Sequence, residues 1–182
     1  EGARLSSLIE NVLDFARIEE GRKAYHFAET DAAALIQDAV ALMRPQAEAK
    51  GLRIDMELEP LPFVPQVDAG AVQQALINLL DNAIKFSPPN AGAIQVALRA
   101  DPSGKSWSLT VKDHGPGIPE EEHTRIFERF YRLGNELRRE TTGTGIGLAI
   151  VKHIVEGHGG QVTVESRPGE GSRFTVVFPG NK

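Results

Sequence analysis

Asn78, Asn82 and Lys85 stand at i, i+4 and i+7 inside the stretch Asn78-Leu79-Leu80-Asp81-Asn82-Ala83-Ile84-Lys85. On a helix advancing about 100° per residue, that spacing puts all three on one face. Gln74 and Asp81 flank the face. Val72, Leu76, Leu79, Leu80 and Ala83 lie opposite, where burial would anchor the helix and leave the polar side free for chemistry. An amide oxygen is a hard, neutral donor, suited to a magnesium ion that also carries phosphate oxygens. Lys85 offers a point charge for a phosphate. The same residues also describe a merely solvated face, because two asparagines cost a helix only about 1 kcal/mol against alanine.

Two further stretches carry compatible chemistry. Asp113-His114-Gly115-Pro116-Gly117-Ile118 places a carboxylate at the end of an apolar alternation, followed by glycines that permit close backbone approach. A carboxylate there can accept a hydrogen bond from an exocyclic amine, which adenine has and guanine lacks at the same place. An ordinary Asp-x-Gly turn is the competing reading. Gly143-Thr144-Gly145-Ile146-Gly147-Leu148 opens an apolar helix, where backbone N–H groups attract anions and glycine lets phosphates come close. It is not a dinucleotide fingerprint, since position 148 is Leu and no strand precedes it, and no GxxxxGK[ST] phosphate loop occurs anywhere. Between positions 129 and 139, Arg129, Arg132, Arg138 and Arg139 face only Glu136. This segment reads either as a positive lid over an anion or as a mobile surface loop.

The elements that must position these residues follow from periodicity. Residues 3–20 read as a helix whose wide apolar stripe (Leu5, Leu8, Ile9, Val12, Leu13, Phe15, Ala16) suits a four-helix bundle or packing on its own domain. A strand is expected over 24–28, and a helix from Asp31 as N-cap, kinked or broken at Pro45. A strand over 52–58, a long helix over 68–86, and strands over 94–98 and 107–111 joined at Asp101-Pro102-Ser103-Gly104 come next. A short helix over 119–127, a helix over 145–156 and a closing hairpin of 161–165 with 172–178 complete the order. Amphipathic helices interleaved with strands imply an α/β two-layer sandwich, a mixed β-sheet with helices on one face, preceded by a bundle-type helix.

Composition narrows the function classes. The 182 residues hold 41% hydrophobic and 25% charged side chains, as in an ordinary soluble globular protein. The net charge of −5 lacks the positive excess of a nucleic-acid binder, and without cysteine there is no disulfide or thiolate chemistry. No apolar run approaches a membrane span. Since the first residue is Glu1 rather than methionine, the chain is expected to be a fragment.

The three stretches in this order resemble the N, G1 and G2 boxes of sensor histidine kinases, within the wider Bergerat-fold (GHKL) group of ATP-binding proteins. Ile126-Phe127-Glu128-Arg129-Phe130-Tyr131-Arg132 resembles the F box, and Gly157-His158-Gly159-Gly160 with the final hairpin resembles the family's usual ending. Leu8-Ile9-Glu10-Asn11-Val12-Leu13-Asp14-Phe15-Ala16-Arg17-Ile18-Glu19 resembles the end of the second dimerisation and histidine-phosphotransfer helix. The resemblance divides the chain into that helix (1–20) and a catalytic ATP-binding domain (21–182). It implies that Asn82 ligates magnesium, with Asn78 and Lys85 near metal and phosphates. Asp113 is implied to read adenine, in a pocket shaped by Gly115, Gly117 and Ile118. Phe127, Phe130 and Arg132 would belong to the lid, and Thr142, Gly143, Thr144, Gly145, Ile146, Gly147 and Leu148 would close the phosphate end.

The family's chemistry transfers the γ-phosphoryl of Mg-ATP to a histidine, then to an aspartate on a response regulator receiver domain. The implied partners are the protein's own phosphotransfer domain, that receiver and a second copy in the intact protein. A cytoplasmic location follows, with any membrane anchor upstream. The five histidines (His26, His114, His123, His153, His158) lie outside the N-terminal helix, and none precedes Asp or Glu as the acceptor usually does. The fragment is therefore expected to bind ATP without phosphorylating itself. His114 stands where the family more often has Asn. Related hydrolases carry a glutamate four residues before the metal-binding asparagine. Here that residue is Asn78, which cannot act as a base at neutral pH. A non-catalytic nucleotide-binding regulator and a serine kinase of the anti-sigma type are the alternatives.

Overall fold

The structure is a computed structural model that describes residues 9, 12–13, 15–18, 20–21, 23–131 and 145–180. A helical stretch that includes residues 15–18 leads by way of residues 23–27 to β1 (Ala28–Glu29), α1 (Ala32–Ala49), β2 (Leu52–Leu58), β3 (Gln66–Val67) and α2 (Ala69–Phe86). Then come β4 (Gly92–Ala100), β5 (Ser106–Lys112), two 3-10 turns (Glu120–Glu122 and Arg125–Phe127), α3 (Gly147–Gly157), β6 (Gln161–Ser166) and β7 (Ser172–Pro179).

Five strands form one mixed sheet in the order β2-β4-β5-β7-β6, and β1 pairs with β3 in a separate two-stranded ribbon. Only β2 and β4 run parallel, so a crossover must join them, and α2 lies within it. The alternation along the strands builds the core. Val96, Val111 and Phe174 lie side by side across β4, β5 and β7, as do Leu98, Leu109 and Val176, all buried. Their neighbours Arg99, Thr110 and Arg173 line the opposite, solvated face. The helices fill the buried side with Ile36, Val40, Leu76, Leu80, Ile150 and Ile154. This is the expected two-layer α/β sandwich.

Asp31 caps α1 as expected, and Asp68, read as the first residue of the next helix, is the N-cap of α2. Asp31 accepts from the Ala34 N–H and Asp68 from the Ala71 N–H, each at 3.0 Å. Three expectations are corrected. Pro45 does not break α1, which continues to Ala49. It sits on the exposed face, where water can satisfy the Ala41 carbonyl that loses its partner. Residues 119–127 form two separate 3-10 turns rather than one helix. The strand expected over 24–28 shrinks to Ala28–Glu29, because its partner β3 is only two residues long.

Candidate functional site

Helix α2 carries the amide face as its periodicity predicts. Asn78 is buried (6% exposed), while Asn82 and Lys85 are half-buried toward the C-terminal end. Lys85 Nζ lies 5.0 Å from the centroid of the Phe86 ring. Leu76, Leu79, Leu80 and Ala83 are sunk in the core and hold the helix in place.

Asp113 directly follows β5 and is also buried (5% exposed). Its backbone N–H donates to the Ser172 carbonyl at 2.8 Å, extending the β5–β7 ladder by one rung. Its Oδ1 accepts from the Gly115 N–H at 2.8 Å and the Ser172 N–H at 3.1 Å. Among the described residues none donates to Oδ2. Burial raises the carboxyl above the ordinary carboxylate range, against the opposing pull of those two N–H groups and of His114. A donor arriving at Oδ2 would favour the ionised form.

The turn after Asp113 is locked from several sides. His114 donates from its N–H to Ser87 Oγ (3.3 Å) and from Nε2 to the Ala93 carbonyl (2.9 Å). The Ile118 N–H donates to Ser166 Oγ at 2.8 Å. Ser166 Oγ donates in turn to the Gly171 carbonyl at 2.7 Å, so the β6–β7 hairpin grips the turn. Gly117 has φ +77°, and a Cβ there would overlap the Arg167 carbonyl. Gly171 has φ +76°, and its Cβ would overlap the carbonyl of Asp113 itself.

The glycine-rich helix start meets the amide face. A Cβ on Gly147 would sit 3.8 Å from the Asn78 side chain, so this glycine lines the space beside that amide. Gly145, at φ +72°, accepts at its carbonyl from the Phe130 N–H (3.0 Å). Ile118 and Ile146 are buried, 8% and 2% exposed, and belong to the hydrophobic core. Leu148 is half-buried. Phe127 packs edge-on against Phe174, with ring centroids 6.3 Å apart. Phe130 is 66% exposed and packs edge-on against Phe15 of the N-terminal helical stretch, 5.4 Å away. Arg132, Thr142, Gly143 and Thr144 lie outside the described residues.

Phe86, Ser87, Ser166, Gly171 and Ser172 belong to this site, although their positions in the chain gave no sign of it. The Phe86 Cβ and carbonyl lie 3.3 Å from where a Gly115 Cβ would stand, and Phe86 as a residue is 43% exposed. Helix α2 therefore touches the Asp113 turn at its C-terminal end and Gly147 at Asn78. Eight residues separate the two contacts, about 12 Å of helix. A ligand reaching from the Asp113 turn to Gly147 would run along this stretch of α2. Magnesium is usually held by one or two protein oxygens together with phosphate oxygens. The neutral amide oxygen of Asn82 fits that role, and the carboxylate with a spare oxygen fits a purine amine.

Comparison with known proteins gives the family. Residues 67–182 match the family described as histidine kinase-, DNA gyrase B- and HSP90-like ATPases. The chain is 40% identical to the sensor histidine kinase AruS of Pseudomonas aeruginosa over 95% of its length, covering 18% of that protein. It is 38% identical to the non-motile and phage-resistance protein of Caulobacter vibrioides over 98% of its length, covering 21% of that protein. The chain thus spans about a fifth of these curated relatives. Among solved structures, full-length ShkA in complex with AMPPNP superposes with a TM-score of 0.83 at 31% identity, over 100% of this chain and 37% of that one. The mycobacterial sensor histidine kinase MprB gives 0.72 at 31% identity, over 86% and 99% respectively. The chain belongs to the histidine kinase-, DNA gyrase B- and HSP90-like ATPase family, as an ATP-binding catalytic domain of the sensor histidine kinase kind.

Proposed function

We propose that this chain holds Mg-ATP between Asp113 and the Asn78–Asn82 face and presents the γ-phosphoryl to a histidine upstream of residue 1. The buried Asp113 carboxylate, whose Oδ2 no described residue contacts as a donor, stands on a turn touching the same helix that carries the Asn78–Asn82 face, and this supports the reading. Asp113 Oδ2 accepts from the exocyclic amine of adenine, while the Phe86 edge and the Gly115 backbone border the base. Asn82 Oδ1 ligates magnesium, and Lys85 and Asn78 orient the phosphates. The bound magnesium ion would neutralise charge on the phosphate oxygens as the bond to the leaving ADP breaks. Gly145 and Gly147 leave room at the phosphate end; the roles of Arg132, Thr142, Gly143 and Thr144 there are what the family resemblance implies.

The chain's own residues supply no base. Asn78 cannot polarise water at neutral pH, which disfavours hydrolysis and leaves the phosphoryl for a better nucleophile. A neutral imidazole needs no base from this domain. Its nitrogen bonds to the γ-phosphorus as the bond to the β,γ-bridging oxygen breaks, and the phosphoryl passes on to a receiver aspartate. Residues 1–20 end the dimerisation helix in this reading, and 21–182 form the catalytic domain. Exposed Ile9, Val12 and Leu13 support a partner helix there, about half of each being accessible. The described residues include no helix long and apolar enough to cross a membrane. The site would work in the cytoplasm, where ATP is available.

The test is to mix the chain with a separately supplied phosphotransfer domain and γ-labelled ATP. Acid-labile label on that domain is expected, and none with Asn82→Ala. Label released only as free phosphate would indicate a hydrolase. Acid-stable label on a serine would indicate a serine kinase, and nucleotide binding without transfer a regulator.

A further inference from the structure

The last turn of α2 carries Lys85 and Phe86, and its carbonyls have no partner inside the helix. Their bonds can be followed one by one. The Ser87 N–H takes the Ala83 carbonyl at 3.1 Å. Lys50 Nζ donates to the carbonyls of both Ile84 and Lys85, each at 2.8 Å. Lys50 is the C-cap of α1, and its own carbonyl accepts from the Asn90 N–H at 3.2 Å, just beyond α2. One turn earlier on α1, Gln46 Nε2 donates to Asp81 Oδ1 at 2.9 Å, next to Asn82. A cation at this pole also offsets the partial negative charge of the helix terminus.

We infer that Lys50 is a positioning residue for nucleotide binding: by gripping the Ile84 and Lys85 carbonyls it fixes the last turn of α2, and with it the Lys85 ammonium and the Phe86 ring. Lys50 touches no ligand and works through α2. The inference rests on the Mg-ATP reading of the site, and the experiment separates the two. Without Lys50 the last turn frays, Lys85 loses its aim, and Asn78, two turns back and buried, keeps its place.

The experiment measures MgATP affinity and thermal melting for the parent chain, Lys50→Met, Lys50→Arg, Lys85→Met and the Lys50→Met/Lys85→Met pair. Lys50→Met is expected to weaken MgATP about tenfold. Lys50→Arg should recover most of the loss, because a guanidinium can donate to both carbonyls. The double variant should lose less than the sum of the two single losses, because both substitutions act in part through the Lys85 contact. Lys50→Gln, which keeps a donor without the charge, replaces Lys50→Met if that variant does not fold. Unchanged affinity in folded Lys50→Met (or in the Lys50→Gln that replaces it), losses that simply add, or no recovery with arginine would overturn the inference while leaving the site reading intact. A parent chain that does not bind MgATP would overturn both.

Discussion

Asp113 is held by backbone groups of separate segments, whereas Asn82 projects from one helix face held by its own buried side. At the carboxylate end, the Gly115 and Ser172 N–H groups, the Ser166 hydroxyl and two left-handed glycines fix every approach to the turn. At the phosphate end, the geometry comes from the pitch of α2 and the bare Gly147 beside Asn78. The first end is rigid before any ligand arrives and suits recognition of one base. The second offers space and neutral donors and suits a ligand that brings its own charge and metal. The glycines therefore have different duties. Gly117 and Gly171 are needed by the fold, whereas under the proposed function Gly147 is needed by the ligand.

The sharpest way to break this contrast is to add a methyl group at each end. Gly117→Ala combines a left-handed backbone with overlap on the Arg167 carbonyl, and should cost on the order of 3–5 kcal/mol of stability, read as a large drop in melting temperature. Asp113→Asn comes next. The Asn Oδ1 keeps both backbone bonds while an NH2 replaces the accepting Oδ2, so MgATP affinity should fall about a hundredfold. Melting should not fall with it, because a neutral amide escapes the burial cost that raises the Asp113 carboxyl.

Gly147→Ala meets only ordinary contact distances and favours helix, so the fold should hold or gain slightly. Its methyl group narrows the space beside Asn78, and MgATP should weaken about tenfold while adenosine is unaffected. Equal losses for both ligands would place the triphosphate elsewhere. The smallest effect is on pH dependence. A raised carboxyl is most stable protonated in the free protein, so its contribution to folding is present at low pH and lost as pH rises through the raised value. Nucleotide binding runs the other way. The amine donor favours the carboxylate, so affinity should decline as pH falls through that value, and Asp113→Asn should flatten the profile.

Local signals made much of this legible in the sequence. The i, i+4, i+7 spacing of Asn78, Asn82 and Lys85 is a property of one helix, and Asp31 and Asp68 cap the residues that follow them. Asp113 was visible because glycines surround it. What encloses Asp113 was not. Ser172 lies 59 positions away and Ser166 is joined to Ile118 across 48, and it takes the β5–β7 and β6–β7 pairings to bring them in. Phe86 looked like the end of an apolar helix until the fold set it beside Gly115. Pro45 misled because its effect depends on which face of α1 meets water, and that is decided by β2 and α2 packing against the other side.

The central claim is most directly tested by a crystal structure of the chain with magnesium and a non-hydrolysable ATP analogue. The predicted result is the adenine amine within hydrogen-bond distance of Asp113 Oδ2 and the cation on Asn82 Oδ1, with the phosphates passing Lys85 toward Gly147. A purine bound away from Asp113, or a cation held without Asn82, would contradict it.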